Sequence, residues 1–154
     1  YFGGKGTEVH QFDCCHGITI DSREGKPPTL LITSRGANEF KRFTMDGNYL
    51  ETISLPGCYI CRPVLKNDML YFAVIVTKDW GKYDGMLAVL NTKNEVVSLP
   101  GGSIPKYNNN AFLAPDYDQK TFFNPHDVCI DDDENIYVPQ WNSGKTYPLK
   151  LTRV

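Results

Sequence analysis

The stretch Phe12-Asp13-Cys14-Cys15-His16-Gly17-Ile18-Thr19-Ile20-Asp21 returns 110 positions later as Phe122-Phe123-Asn124-Pro125-His126-Asp127-Val128-Cys129-Ile130-Asp131. The two copies share a phenylalanine, a histidine, an apolar residue two positions after the histidine, an isoleucine and an aspartate. A weaker copy, Cys61-Arg62-Pro63-Val64-Leu65-Lys66-Asn67, lies between them with Arg62 in the position of the histidines. Such an internal repeat indicates that one supersecondary unit is used several times along the chain.

Short strand signals fill most of the sequence. No apolar pattern of helical period persists over ten residues without an interrupting Gly, Pro or Asn, whereas β-branched and aromatic runs recur between turn residues such as Met45-Asp46-Gly47-Asn48. The sequence therefore predicts an all-β fold built from consecutive antiparallel hairpins. The predicted strands are 17–21, 29–34, 39–44, 49–55, 64–66, 69–76, 86–90, 95–99, 127–130, 135–138 and 148–152.

The spacing of the repeat predicts a β-propeller, because periods of about 40 to 50 residues are typical of propeller blades. His16 and Arg62 lie 46 positions apart, whereas Arg62 and His126 lie 64 apart. The surplus of about 18 residues is explained by an inserted loop in the Tyr-, Asn- and Pro-containing stretch 103–121. We predict about three four-stranded blades, at about 12–57, 58–102 and 122–154, with residues 1–6 as the tail of a preceding blade.

Six segments carry a resemblance to a known family. They are Phe2-Gly3-Gly4-Lys5-Gly6 with Gln11-Phe12, residues 16–21, residues 31–43 with Met45-Asp46-Gly47, Asn124-Pro125-His126-Asp127, residues 135–138 and residues 149–154. They resemble blades and blade junctions of NHL-repeat propellers, and more narrowly the six-bladed propellers similar to the peptidylglycine amidating lyase domain. The resemblance covers most of the chain except 103–121. It departs from the family pattern at Cys15, where a proline usually precedes His-Gly, and in lacking the preceding blades.

The resemblance implies a ring of six blades, of which this chain supplies the C-terminal half. Three blades do not close a ring, and an open arc exposes blade faces that normally pack against neighbours. We therefore expect the remaining half to come from upstream residues of the same polypeptide, from a second copy or from another polypeptide. The first source is favoured, because Tyr1-Phe2 has the pattern of a blade tail whose beginning is missing.

The register of the repeat identifies candidate metal ligands. Because the innermost strand of each blade starts at the mouth of the central channel, we expect His16, Arg62 and His126 to face one another there. Imidazole nitrogens suit zinc, and the family resemblance implies a channel metal held by histidines. We assign His16 and His126 as metal ligands and zinc as the metal. A zinc centre takes three or four ligands, so a histidine from the missing blades, Asp127 or a cysteine has to complete it.

Arg62 and Asp127 are the candidate catalytic residues. The planar guanidinium of Arg62 suits a substrate carboxylate, the group found on peptidyl-hydroxyglycine-like substrates of the family that the chain resembles. The resemblance implies a metal-dependent lyase in which a nearby base helps to break a carbon–nitrogen bond.

Two alternatives stay open at this stage. Each histidine can simply hydrogen-bond a neighbouring backbone carbonyl, in which case the chain is a non-catalytic propeller that binds a protein, peptide or glycan through its loop face.

The acidic run Asp131-Asp132-Asp133-Glu134 lacks the spaced pattern of a calcium loop. We expect a solvated turn there, and calcium is less favoured than zinc.

Five cysteines are many for 154 residues, although fewer than a disulfide scaffold has. Cys58-x-x-Cys61 has no second pair to complete a zinc knuckle. Cys58 with Cys61, or Cys14 with Cys61, can form a disulfide in an oxidising compartment. Cys129 alternates with apolar residues and is expected to be buried.

Charge and hydropathy exclude two classes of partner. The net charge is −2 with the signs interspersed, so the field that attracts nucleic acid is missing. No apolar run approaches the roughly 20 residues of a membrane-spanning helix. The compartment is not identified by the sequence, with a secreted or periplasmic location slightly favoured over the cytoplasm.

Overall fold

The chain folds almost entirely into short antiparallel strands. The computed structural model describes residues 1–75, 82–117 and 121–152. Within these residues there are thirteen strands in four sheets, and the helical structure is the 3-10 turn Arg23–Gly25. The all-β prediction is confirmed. No helix of the described residues is long and apolar enough to cross a membrane.

The two largest sheets are four-stranded meanders. In each of them every strand is hydrogen-bonded to the next strand along the chain. Sheet 1 comprises β1 (Cys15–Asp21), β2 (Thr29–Ser34), β3 (Glu39–Thr44) and β4 (Tyr49–Ser54). Sheet 2 comprises β5 (Val64–Lys66), β6 (Met69–Val74), β7 (Met86–Leu90) and β8 (Val96–Ser98).

A small hairpin precedes the third sheet. Strands β9 (Tyr107–Asn108) and β10 (Ala111–Phe112) pair within the segment for which the sequence predicts a loop without strands. The Tyr107 hydroxyl bonds both backbone groups of Val96, with O···N and O···O distances of 2.5 and 3.0 Å, and so fastens the hairpin to β8. Sheet 3 then comprises, among the described residues, β11 (Cys129–Ile130), β12 (Ile136–Val138) and β13 (Leu149–Leu151).

The eleven strands predicted from the sequence are all present. Four of them, β2, β3, β5 and β7, have the predicted bounds, and the others differ by one or two residues at one or both ends. The prediction for β6 extends to residue 76, which lies outside the described residues, as do residues 118–120 of the predicted loop and 153–154 of the predicted third blade.

The pattern of β6 explains how the sheets pack on one another. Leu70 and Phe72 lie in a core shared with sheet 1, whereas Ala73 and Ile75 lie in a core shared with sheet 3. Successive side chains of a strand point to opposite faces, so a strand that is apolar at every position needs a layer on each side. Phe40 of sheet 1 meets Phe72 edge to face, with ring centroids 5.0 Å apart. Sheet 2 is therefore the middle of three layers.

The outer face of sheet 1 is only partly covered. Phe12, Ile32 and Phe43 are buried there, and the ring of Phe2 covers Phe43 with centroids 5.1 Å apart. On the same face an open apolar groove of about 680 Å³ is lined by Phe2, Phe12 and Ile18 among others, and Ile18 is 52% exposed. A further layer of protein would bury this face.

A buried ionic network joins sheets 1 and 2. The Asp21 carboxylate accepts hydrogen bonds from Arg23 Nε and Nη2, at 3.0 and 2.8 Å, and from Arg42 Nη1, at 2.7 Å. Arg23 also donates to the backbone oxygen of Asn91 and to the side-chain oxygen of Asn94, both at 2.7 Å. Because these asparagines form the turn after β7, the network fixes sheet 2 against the end of β1.

We expect Asp21→Asn to lower the free energy of unfolding by about 3–5 kcal/mol, because it leaves the buried charge of Arg23 without a carboxylate and leaves Arg42 with only the partly exposed Glu51. Urea unfolding measures the change. Asp132→Asn is the matched control: Asp132 is fully exposed in its ion pair with Lys66, so its loss is expected to cost less than about 1 kcal/mol. Equal stabilities of the two variants would contradict the assignment.

The same network predicts a dependence on pH. Burial raises the pKa of Asp21, but the hydrogen bonds from Arg23 and Arg42 outweigh burial and hold that pKa well below its ordinary value. The stabilisation is therefore complete above the unfolded-state pKa of about 3.9 and is lost as the pH falls below it. Asp21→Asn should remove this part of the acid sensitivity.

Candidate functional site

The segments that enter the first strands of the three sheets lie at equivalent ends of those sheets. Each segment pairs with the end of the second strand of its sheet; the pairs are Cys15 with Ser34, Ile60 with Val74, and Pro125 with Gln140. His16, Arg62 and His126 follow these pairs directly or within two residues. We call this end of the sheets, with the loops that follow β2 and β12, the histidine face.

A bulge and a glycine set the position of His16. The pairing of β1 with β2 shifts register between Cys15 and Ile18, so His16 lies in the irregular part of the strand. Such bulges turn side chains in new directions and are common beside functional sites. A Cβ added to Gly17 would lie 2.6 Å from the Arg62 Cα. The absence of a side chain at Gly17 therefore allows β1 to approach the start of sheet 2.

The two histidines of the repeat are brought together. The ring centroids of His16 and His126 are 5.2 Å apart, with an interplanar angle of 83°. Trp141, in the loop after β12, lies on the other side of His126, with centroids 6.2 Å apart and the rings inclined by 37°. Two imidazoles and one indole therefore form a continuous aromatic row on the histidine face.

Backbone hydrogen bonds hold His126 and Trp141 in place. The His126 N–H donates to the Pro139 carbonyl at 2.9 Å, and the Trp141 N–H donates to the Asn124 carbonyl at 2.8 Å. The segment before β11 and the loop after β12 thus form one unit. Neither ring of the histidine pair is anchored by a side-chain hydrogen bond that the structure describes.

Arg62 and Asp127 form an ion pair. Arg62 Nη2 lies 3.0 Å from Asp127 Oδ2, with the two side chains 48% and 36% exposed. The other Asp127 oxygen accepts a hydrogen bond from the Val128 N–H at 2.9 Å. The pair links the starts of sheets 2 and 3 and stays accessible to solvent. The catalytic roles assigned to these residues remain predictions.

Arg35 is a charged residue of the histidine face that the sequence analysis did not single out. It is 7% exposed, and it donates from Nε to the Ile60 carbonyl at 3.1 Å and from Nη2 to Cys61 Sγ at 3.1 Å. Arg35 directly follows β2 and lies level with the start of β1. A charged residue at the end of a predicted strand, next to the segment that carries His16, is the feature of the sequence that indicates it. Arg35 places a buried positive charge beside both histidines.

The surroundings keep both histidines neutral. Burial, Arg35 and His126 lower the pKa of His16 to about 4, against the opposing effect of Asp127. Burial and Arg35 likewise lower the pKa of His126, again against Asp127. At neutral pH each ring is an uncharged imidazole, and this is the form that binds metal.

The geometry of the histidine pair is compatible with a shared zinc ion. Two imidazoles bound to one tetrahedral zinc at Zn–N distances of about 2 Å have ring centroids about 5 Å apart, close to the observed 5.2 Å. The described residues contain no group of three His, Cys, Asp or Glu that is able to hold a metal. The assignment of the two histidines as zinc ligands stays a prediction, and a zinc centre needs more than two ligands.

Among the described residues, neither the cysteines nor the acidic turn adds a third metal ligand to His16 and His126. All five cysteines are free, and burial raises the pKa of Cys61 to about 11, which keeps it a thiol despite Arg35. The expectation that Cys129 is buried is wrong: it is exposed, because the short strand β11 turns it outward. In the acidic turn, Asp131 bonds the Asn135 and Tyr137 side chains, both at 2.9 Å.

Comparison with known proteins gives the fold. Neither a family model nor a curated protein matches the sequence. Among solved structures, the chain is similar to streptogramin B lyase, a β-propeller, with a TM-score of 0.55 and 10% sequence identity. The match covers 92% of this chain and 41% of that protein. At this identity the similarity concerns the fold alone. Together with the meandering antiparallel sheets, it shows that the chain is an all-β part of a propeller that corresponds to about three blades.

Proposed function

We propose that this chain is half of an NHL-type six-bladed propeller whose histidine face is the metal and substrate site of a lyase similar to the peptidyl-hydroxyglycine amidating lyases. The observation that carries the proposal is the pair of neutral imidazoles, His16 and His126, 5.2 Å apart, beside the accessible ion pair of Arg62 and Asp127. It supports a site with both a metal-binding and a carboxylate-binding part.

The residues of the chain have separate tasks in this proposal. His16 and His126 offer ring nitrogens to zinc, which when bound supplies Lewis-acid polarisation of a substrate oxygen. Arg62 binds the substrate carboxylate through two hydrogen bonds. A carboxylate that pairs with Arg62 displaces Asp127 from its ion pair. The freed Asp127 accepts the proton of the substrate hydroxyl as that carbon becomes a carbonyl and its bond to nitrogen breaks, and then gives the proton to the leaving amide nitrogen. Arg35 keeps the histidines unprotonated.

The other half of the ring completes the site. The partly covered apolar face of sheet 1, with its groove of about 680 Å³, fits the side of a neighbouring blade. We propose that blades from the same polypeptide or from a second chain pack there. The same blades then supply the third and fourth zinc ligands that the described residues lack.

Zinc binding tests the metal part of the proposal. We expect purified, untagged protein with its complete ring to bind one zinc ion, and His126→Ala to weaken binding by roughly 100-fold or more, since loss of even an outer-shell partner costs 10- to 100-fold. Elemental analysis after dialysis measures both effects.

The exposed His10, in the N-terminal segment, provides the control. His10→Ala should bind zinc as the wild type does. Unchanged zinc affinity in both His16→Ala and His126→Ala would eliminate the metal site.

Substrate cleavage tests the roles of Arg62 and Asp127. With a peptide ending in α-hydroxyglycine, we expect Arg62→Ala to raise KM by about 10- to 100-fold, the usual value of a charged hydrogen bond. Asp127→Asn should lower kcat with a smaller change in KM, because it keeps the side-chain shape but loses the base. Mass spectrometry of the peptide amide follows the reaction.

Lys66→Ala is the matched control for Arg62. Lys66 also pairs with an aspartate of sheet 3's first hairpin, Asp132, at 2.9 Å, but it is the last residue of β5, at the end of the strand away from the histidine face. Its loss should leave KM unchanged. An Arg62→Ala protein with wild-type kinetics would remove the carboxylate-binding role.

One observation favours a second function, in which the propeller binds a peptide or glycan without catalysis. Trp141 is 52% exposed although it lies against His126. An indole held flat and open to solvent is a common platform for a ligand ring or an apolar side chain. In this alternative the histidines orient the indole and need no metal.

Peptide and glycan arrays, read in the presence of a chelator, test this alternative. We expect Trp141→Ala to weaken any binding to the arrays by about 2- to 13-fold, which corresponds to one aromatic contact of about 0.5–1.5 kcal/mol. Tyr147→Ala is the control, because Tyr147 is 86% exposed in the same loop and lies outside the aromatic row. Binding that disappears with the chelator would instead favour the metal-dependent lyase.

A further inference from the structure

Two adjacent cysteines precede the first histidine of the repeat. Cys14 and Cys15 are both exposed, and both thiols are free. Together with His16 they line the open apolar groove on the outer face of sheet 1, at the histidine-face end of that groove. The proposed site keeps this end open to substrate, so the two thiols stay accessible there. Because exposed thiols react with oxidants, two of them in one groove are a candidate redox pair.

The backbone at Cys14 interrupts the alternation that would separate the two thiols. Consecutive residues of a regular strand point to opposite faces. Cys14 lies before β1 and has a φ of 56°, in the left-handed region, and the register of β1 with β2 then shifts between Cys15 and Ile18. A left-handed φ is uncommon for residues other than Gly, Asn and Asp, and such positions cluster at functional sites. Both cysteines accordingly line one groove instead of opposite faces of a sheet.

The same backbone connects the cysteines to the histidine face. The Arg35 N–H donates to the Cys14 carbonyl at 3.1 Å, and the Arg35 side chain lies close enough to lower the pKa values of both histidines. Cys15 is bonded directly to His16 along the chain. A change in the backbone of the cysteine pair therefore reaches His16 and Arg35 together.

A disulfide between adjacent residues closes a ring through the peptide bond that joins them. Consecutive Cα atoms are about 3.8 Å apart, whereas most disulfides join Cα atoms that are about 4.4–6.8 Å apart. The ring closes only if the backbone is distorted, and a strained disulfide is easily reduced. Strained and exposed disulfides are the labile, regulatory or catalytic ones. A Cys14–Cys15 disulfide is thus suited to reversible oxidation and contributes little to the stability of the fold.

We propose that Cys14 and Cys15 are a redox pair that a small-molecule disulfide such as glutathione disulfide oxidises reversibly. The thiolate of one cysteine attacks a sulfur of glutathione disulfide, forms a mixed disulfide and releases one glutathione. The thiolate of the other cysteine attacks the protein sulfur of the mixed disulfide, closes the ring and releases the second glutathione. The two cysteines lose two electrons and two protons, and the two glutathione thiols take them up. This chemistry does not depend on the proposed function.

Oxidation of the pair changes the histidine face without a reaction at either imidazole. Closure of the ring moves the Cys14 carbonyl away from the Arg35 N–H and moves the start of β1. His16 then shifts relative to His126, whose position is fixed by the Pro139 carbonyl of sheet 3. The redox state of the cysteines therefore sets the distance between the two histidines.

Mass spectrometry of tryptic peptides tests the redox pair on the purified protein with its complete ring. Trypsin cleaves after Lys5 and Arg23 and so releases residues 6–23, in which Cys14 and Cys15 are the only cysteines. After incubation with glutathione disulfide and alkylation of the remaining thiols, we expect this peptide to lose two hydrogens and to carry neither an alkyl group nor glutathione. Excess reduced glutathione should restore both thiols.

Cys129 is the matched control within the same protein. It is exposed like the pair but has no adjacent cysteine, so it should carry an alkyl group or glutathione after the same treatment. Cys58 and Cys61 should remain thiols, because they are 1% and 0% exposed. In Cys14→Ser the ring cannot close, and the peptide 6–23 should instead carry glutathione or an alkyl group on its remaining cysteine.

Nuclear magnetic resonance of the metal-free protein tests the coupling to the histidines. We expect the cross-peak between the ring protons of His16 and His126 to weaken at least twofold on oxidation and to recover on reduction. A wild-type peptide 6–23 that stays fully alkylated after treatment with glutathione disulfide, or a disulfide that joins Cys14 to Cys61, would overturn the redox pair. An unchanged cross-peak in fully oxidised protein would overturn the coupling. Neither measurement uses zinc, so failure of the proposed metal site is a separate result.

Discussion

The fold depends on one constraint, which is that the middle sheet is apolar on both faces. Leu70 and Phe72 face sheet 1 while Ala73 and Ile75 face sheet 3, so sheet 2 loses its burial if either neighbour is removed. Side chains of a strand alternate between the two faces of its sheet, so a shift of one residue exchanges the side chains of the two faces. Because both sets are apolar here, neither face becomes polar after such a shift. Layered sheets in chain order follow from this constraint, and a propeller is its natural extension.

Charge is distributed unequally between the two ends of the sheets. At the end of β1 the carboxylate of Asp21 neutralises two arginines and joins two blades. At the histidine face the buried Arg35 has no carboxylate against it among the described contacts; it bonds the Ile60 carbonyl and the Cys61 sulfur instead. The first arrangement stabilises the fold. The second, together with burial, lowers the pKa values of the two neighbouring imidazoles.

Local pattern was enough to predict the strands but not every contact at the site. The bounds of β2, β3, β5 and β7 follow from β-branched runs that end at turn residues. The approach of His16 to His126 follows from repeat register. The β9–β10 hairpin was missed because its two-residue strands are held by the contact of Tyr107 with β8. Arg35 was missed because the groups that its side chain contacts, the Ile60 carbonyl and the Cys61 sulfur, lie at least 25 positions away in the chain.

The uncovered face of sheet 1 has a consequence for handling the protein. Ile18 and Ile20 are 52% and 53% exposed on β1, and β1 is an edge strand with free backbone groups. An apolar edge of this kind is a template for strand addition. Without a covering layer, this exposed apolar face and edge favour self-association and aggregation of the chain.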